Sequence, residues 1–341
     1  MRNVWQCMTV AAWLILGLTG RAAEPSADGP PPTPARKALK IAMIAKSSTN
    51  PVFLSARSGA EAAARDLAAK YGVEVRVDWR TPPTEDGQVQ AQRIAQAVNE
   101  GADAILISCS DAAKVTGAIN DAVQRGVPVM TFDSDAPLSR RFAYYGVDDV
   151  EAGPRLMAEL AALLNGTGRV AILAGNQNAP NLRKRAEGVR AEAGRHPGIR
   201  IVGTFYHTET PQDAAAEVLR AMNAYPEINA WAMIGGWALF TKTLLSDLDP
   251  AHVTVASIDA LPPQLPYVAK GIAPVLLAQP TYQWGFVSVE KIFQKLCLQQ
   301  DVPVTNIMEL VRVSRDTLGT WARQLRVWGF TDVPEEYLKL P

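Results

Sequence analysis

An alternation constrains this chain more than any other feature. Short runs of β-branched and aliphatic residues recur at 41–45, 73–77, 104–108, 127–132, 169–174, 199–204, 230–234, 253–258 and 275–278. Helical patterns lie between them. The clearest is Val115, Ala118, Ile119, Ala122 and Val123, apolar at i, i+3, i+4, i+7 and i+8. Asp111 is placed to cap its start and Gly126 to end it; Gly72 and Gly101 end two earlier helices in the same way. A continuously apolar strand needs cover on both faces. Strands of this kind separated by amphipathic helices therefore predict an α/β protein with parallel sheets. The 341 residues exceed what one core usually fills, roughly 250–300, so two lobes are expected.

The charge and motif content excludes several functions. Lys+Arg and Asp+Glu both number 34, giving a formal net charge of zero, without the basic excess of a nucleic-acid binder. The chain has no GxxxxGK(S/T), GxSxG or HExxH motif and no EF-hand loop. Residues 166–171 match GxGxxA, but they precede a strand. A phosphate cradle needs the glycines after the strand, at a helix N-terminus. His196, His207 and His252 are scattered, and no nucleophile–base pair or metal cluster is evident. No cofactor, metal or catalytic role is expected.

The N-terminus reads as a secretory signal peptide. A basic start at Arg2 leads into an apolar stretch over 4–18, shorter than the ~20 residues that span a bilayer. Gly20 and Ala22 then stand at the −3 and −1 spacing of a cleavage site, so residues 1–22 form the expected leader. Its loss removes Arg2 and Arg21, leaving 32 basic against 34 acidic residues, a net charge of −2. Residues 23–38 carry five prolines and read as a linker. Cys7 leaves with the leader. Cys109 and Cys297 are expected as two separate buried thiols.

In open α/β sheets, ligands bind beyond the carboxyl ends of the strands. The notable polar and aromatic residues fall there: Asn50 and Phe53 after the first strand, then Asp133, Arg183, Trp237, Asp259 and Gln279 after later ones. Asp accepts, Arg donates, and Asn and Gln do both, which suits adjacent hydroxyls. Phe53 and Trp237 offer flat apolar faces for the C–H side of a sugar ring. Singly, each has a structural explanation as a turn former, helix cap, solvated charge or core residue. Their shared rim favours a site.

Six segments in the same order carry a family resemblance. Ser-Thr-Asn-Pro-Val-Phe at 48–53, Gly-Ala-Asp-Ala-Ile-Leu-Ile at 101–107 and Gly-Val-Pro-Val at 126–129 running into Phe-Asp-Ser-Asp at 132–135 are the first three. Leu-Arg-Lys-Arg-Ala-Glu-Gly at 182–188, Ser-Ile-Asp at 257–259 and Ala-Gln-Pro at 278–280 complete the set. Over about residues 39–300 the chain resembles the ribose-binding-protein group of periplasmic solute-binding proteins. The resemblance implies a type I periplasmic binding fold, with two Rossmann-like lobes joined by a multi-strand hinge. It places 39–146 and 279–306 in an N-terminal lobe and 147–278 and 307–341 in a C-terminal lobe. It carries ligand contacts onto Asn50, Phe53, Asp133, Arg183, Asp259 and Gln279; Trp237 joins them because Gly235-Gly236-Trp237 replaces the family's Asn-Asp pair. It implies a monomer in the periplasm that captures a carbohydrate and delivers it to the permease of an ATP-driven (ABC) importer. The alternative is a ligand-sensing module for a signalling furanone or polyol, presented to a membrane receptor, to which Lys46 would contribute. Val52 departs from the family's aromatic pair, Pro154 predicts a kink or late start in its helix, and the tail over 311–341 is longer than ribose binding requires.

Overall fold

The computed structural model describes residues 33–341. The expected leader and most of the Pro-rich segment lie outside them. Two six-stranded sheets carry the architecture. The first runs β2–β1–β3–β4–β5–β11, with β1 Ala38–Ile44, β2 Glu74–Trp79, β3 Ala104–Ile107, β4 Val129–Phe132, β5 Ala143–Gly146 and β11 Thr305–Ile307. The second runs β7–β6–β8–β9–β10–β12, with β6 Thr167–Ala174, β7 Gly198–Tyr206, β8 Ala230–Met233, β9 Thr254–Ile258, β10 Val275–Ala278 and β12 Val311–Ser314. Every pairing is parallel except β10 with β12. The orders match strand for strand, so each lobe repeats one doubly wound plan and β4 corresponds to β9.

All nine apolar runs of the sequence are strands. β5, β11 and β12 are additional; with three or four residues each, they are too short for periodicity to separate from loop. The apolar strands are two-sided, as expected. Ile41 and Met43 of β1 join the core under α1 (Pro51–Tyr71) and α8 (Thr281–Leu296). Ala42 and Ile44 join the core under α2 (Gly87–Asn99) and α3 (Ala112–Gln124). Asp111 caps α3, accepting from the backbone N–H of Ala113 at 3.0 Å and Lys114 at 3.3 Å.

α1 and α8 touch backbone to backbone. A Cβ on Gly285 would stand 1.8 Å from the Ala56 carbonyl oxygen, and one on Gly59 1.9 Å from that of Tyr282. Neither obstacle is a flexible side chain. Gly285→Val is expected to cost about 3 kcal/mol or more, read as a lower urea midpoint at unchanged slope. A midpoint within error of the parent protein would refute this close approach.

α4 (Asp149–Leu163) and α5 (Pro180–Ala193) pack together in the second lobe. Of the two outcomes expected at Pro154, a late start does not occur: α4 begins at Asp149, capped by Asp148, and continues through Pro154. The ring sits where α5 has no side chain, since a Cβ on Gly188 would meet Pro154 Cδ at 2.4 Å.

The chain passes between the sheets at 147–148, 279–280 and 308–310. The tail then adds β12 to the second sheet and forms α9 (Leu318–Val327). Trp321 Nε1 donates to the Ala260 carbonyl at 2.7 Å, and Trp328 stacks on Tyr282 of α8 with ring centroids 5.7 Å apart. The extra length thus spans both lobes. Cys109 and Cys297 are buried free thiols. Among the described residues, no helix is long and apolar enough to cross a membrane.

Candidate functional site

The ends of β1, β4, β6, β8, β9 and β10 converge between the lobes on a cavity of about 310 Å³. Its lining includes Lys46, Asn50, Phe53, Asp133, Asn181, Arg185, Glu209, Trp237, Asp259, Gln279 and Trp284. Two larger grooves, of about 1260 and 1500 Å³, flank it. The buried charge is concentrated in the small cavity.

Six of the seven residues expected from sequence line it. Asn50 is the N-cap of α1 and its Oδ1 accepts from Val52 N–H at 3.2 Å, which leaves its amide nitrogen toward the cavity. Phe53, one turn into α1, stacks on Trp284 of α8 at 6.1 Å. Asp133 and Asp259 follow β4 and β9, the corresponding strands. Both take left-handed backbone, φ 55° and 70°, which is uncommon outside glycine and tolerated by Asp. Asp133 accepts from Ser108 Oγ at 2.7 Å and from the Asn181 amide at 3.2 Å. Asp259 accepts from Gly236 N–H at 3.0 Å and from Gln279 Nε2 at 2.8 Å. Burial raises both carboxyls above their usual range, opposed for Asp133 by Lys46 and Arg185, and for Asp259 by its Gln279 hydrogen bond and Arg185. Trp237 opens a short 3-10 turn and meets the His207 ring edge-on at 4.9 Å. Glycine is needed just before it, because a Cβ on Gly235 would fall 2.4 Å from the Trp237 ring.

Arg183 is the exception and is corrected. It is exposed on α5 and lines one of the open grooves beside Asp135 and Asp148. Arg185 enters the cavity instead, at 2% exposure. The cause is helical geometry: Asn181 faces the cavity, and the residue on its face one turn later is 185, whereas 183 projects to the opposite side. Arg185 Nε donates to Asp149 Oδ1 at 2.7 Å, Nη1 to the Ile234 carbonyl at 3.2 Å and Nη2 to Gln279 Oε1 at 2.8 Å. Burial alone would lower its pKa; Asp149, Asp133 and Asp259 outweigh that and raise it.

A second cluster was only partly legible. Lys46 Nζ lies 3.6 Å from Glu85 and 3.7 Å from Glu209, with its ammonium 6.0 Å from the Phe53 ring centre. Burial would push the lysine down, but Glu209, Glu85 and Asp133 hold it above its ordinary value. Glu85 is pushed up to about 8 by burial, with Lys46 opposing and Glu209 adding. Burial lowers His207 to about 4. Asn181–Asp133, Lys46–Glu209 and an Asn176–Glu85 contact at 3.4 Å each join the two lobes across the cleft. Lys46 had a signal in its place beside the first rim segment; Glu85 and Glu209 lie in loops with no pattern pointing inward. Among the described residues, no group of three His, Cys, Asp or Glu is placed to hold a metal.

Comparison with known proteins agrees with this architecture. The family described as periplasmic binding protein domain matches residues 41–300. The ribose import binding protein of Escherichia coli is 25% identical over 276 residues, covering 77% of this chain and 88% of that protein. That of Bacillus subtilis is 28% identical over 153 residues, a match spanning 48% of its length. Among solved structures, an ABC transporter solute-binding protein from Burkholderia graminis in complex with D-arabinose aligns with a TM-score of 0.75 at 24% identity, covering 82% of this chain and 96% of that one. A Bacillus halodurans ABC transporter solute-binding protein with bound myo-inositol aligns with a TM-score of 0.75 at 19% identity, covering 84% and 98%. With two corresponding parallel-sheet lobes facing one buried polar cavity, and with the family matched over most of its length, the chain belongs to the periplasmic binding proteins and is ribose-binding-protein-like within them.

Proposed function

We propose that this protein is an exported solute-binding protein that captures a sugar-like molecule between its lobes and delivers it to an ABC importer. One observation carries the reading: the charged and amide side chains at equivalent strand ends of both lobes line a single interlobe cavity with aromatic walls. We assign ligand contact to Asn50, Phe53, Asp133, Trp237, Asp259 and Gln279, and add Arg185 and Lys46. The signalling alternative also drew on Lys46, whose ammonium stands between Glu85 and Glu209.

A thermal-shift screen of residues 33–341 against pentoses, hexoses and polyols tests the reading. A ligand at ~100 times its Kd stabilises the protein by ~2.7 kcal/mol. Absence of any shift across the three classes counts against it.

Closure is also expected to depend on pH. In the closed cleft Glu85 titrates near 8, and on opening it returns toward its ordinary 4.5. The closed form therefore holds an extra proton between those values. Closure is favoured below about 4.5, and ligand affinity falls by up to about tenfold per pH unit as pH rises toward 8. Glu85→Gln is expected to flatten that profile, measured by titration calorimetry; an unchanged profile in the variant assigns the proton elsewhere.

A further inference from the structure

We propose that the ligand of the interlobe cavity carries a positive charge beside its hydroxyls, as an amino or imino sugar does. This deepens the sugar-binding reading and rests on it. The ground is the pairing of charges. Both cations on the cavity wall are already engaged. Arg185 donates to Asp149, the Ile234 carbonyl and Gln279, and its ion pair is with Asp149. Lys46 sits between Glu85 and Glu209.

Asp133 and Asp259 are left. Each is 4% exposed, and among the described residues neither forms an ion pair. Their hydrogen bonds come from neutral groups only: a serine hydroxyl and an asparagine amide for one, a backbone N–H and a glutamine amide for the other. A buried carboxylate without a cation is unfavourable and is relieved by a counter-charge or by protonation. The raised pKa of both groups reflects that unrelieved state. The charged residues lining the cavity are three carboxyls (Asp133, Glu209, Asp259) and two cations (Lys46, Arg185), and a ligand ammonium balances them where an anionic sugar deepens the excess.

The walls favour the same charge. Phe53, Trp237, Phe240 and Trp284 line the cavity, and an aromatic face attracts a desolvated cation. Phe53 already takes one ammonium, that of Lys46. The Asn50 amide nitrogen remains for a hydroxyl, while Gln279 bridges Asp259 and Arg185.

Titration calorimetry at mildly acidic pH tests the inference. The probes are D-glucosamine, D-galactosamine, deoxynojirimycin and iminoribitol against D-glucose, D-galactose, D-ribose and D-galacturonate. At least one aminated probe is expected to bind about tenfold or more tightly than its neutral counterpart, with the uronate weakest. Asp133→Asn and Asp259→Asn are expected to shrink that preference. A neutral sugar that binds as tightly as every aminated probe overturns the charge inference and leaves the sugar-binding reading standing. Failure of all sugars to bind overturns both. A preference for amines that survives in both variants overturns the assignment to these carboxylates.

Discussion

Arg185→Leu is expected to destabilise the protein by about 3–5 kcal/mol, and Arg183→Leu by no more than about 0.5 kcal/mol. The two arginines are two positions apart in sequence, identical in chemistry and opposite in environment. Arg183 is exposed. Arg185 is the buried cation that ties α5 to Asp149 of α4, to the end of β8 and to Gln279 on a crossing segment. Leucine in its place strands the Asp149 carboxylate, which is 7% exposed. Most of the cost is that stranded charge, not the lost attraction, so Arg185→Leu combined with Asp149→Leu is expected to recover a large part of it. Urea midpoints of the four proteins measure this. Equal midpoints for the two single variants would return the site to Arg183.

Asp133→Asn has the opposite profile. It is expected to weaken binding of the best sugar probe by about 2–3 kcal/mol, roughly 30–150-fold in Kd, through loss of charge-assisted bonds. The unliganded protein is expected to be at least as stable as the parent. Ser108 and Asn181 supply neutral donors to the carboxylate, no cation pairs with it directly among the described residues, and burial disfavours its charge more than Lys46 and Arg185 favour it. Removing that charge relieves the folded state. Calorimetric affinity and thermal midpoint are read on the same sample. A parallel fall in both would make Asp133 a structural residue.

Much of this was open to sequence reasoning for a local reason. Strand and helix periods are written in neighbouring residues, so all nine apolar runs became strands and Asp111 capped its helix. The strand-end rule then located Asp133 and Asp259 without any contact being known. Errors arose where the answer depended on rotation or partner. Arg183 and Arg185 differ only in which side of α5 they face, and Asn181 was the clue to that phase. Pro154 stays inside α4 because Gly188, on another helix, leaves room for its ring.

The chain by itself determined the two-lobed alternation and the kinds of residue available at its strand ends, because both follow from apolar spacing and side-chain chemistry along contiguous segments. Only the tertiary structure decided which cations are already engaged. Lys46 meets Glu209, Arg185 meets Asp149 and Gln279, and among the described residues the two αL aspartates face one cavity with no direct ion pair. Charge pairing depends on distances of a few ångströms between residues tens to hundreds of positions apart, and no local pattern encodes those distances.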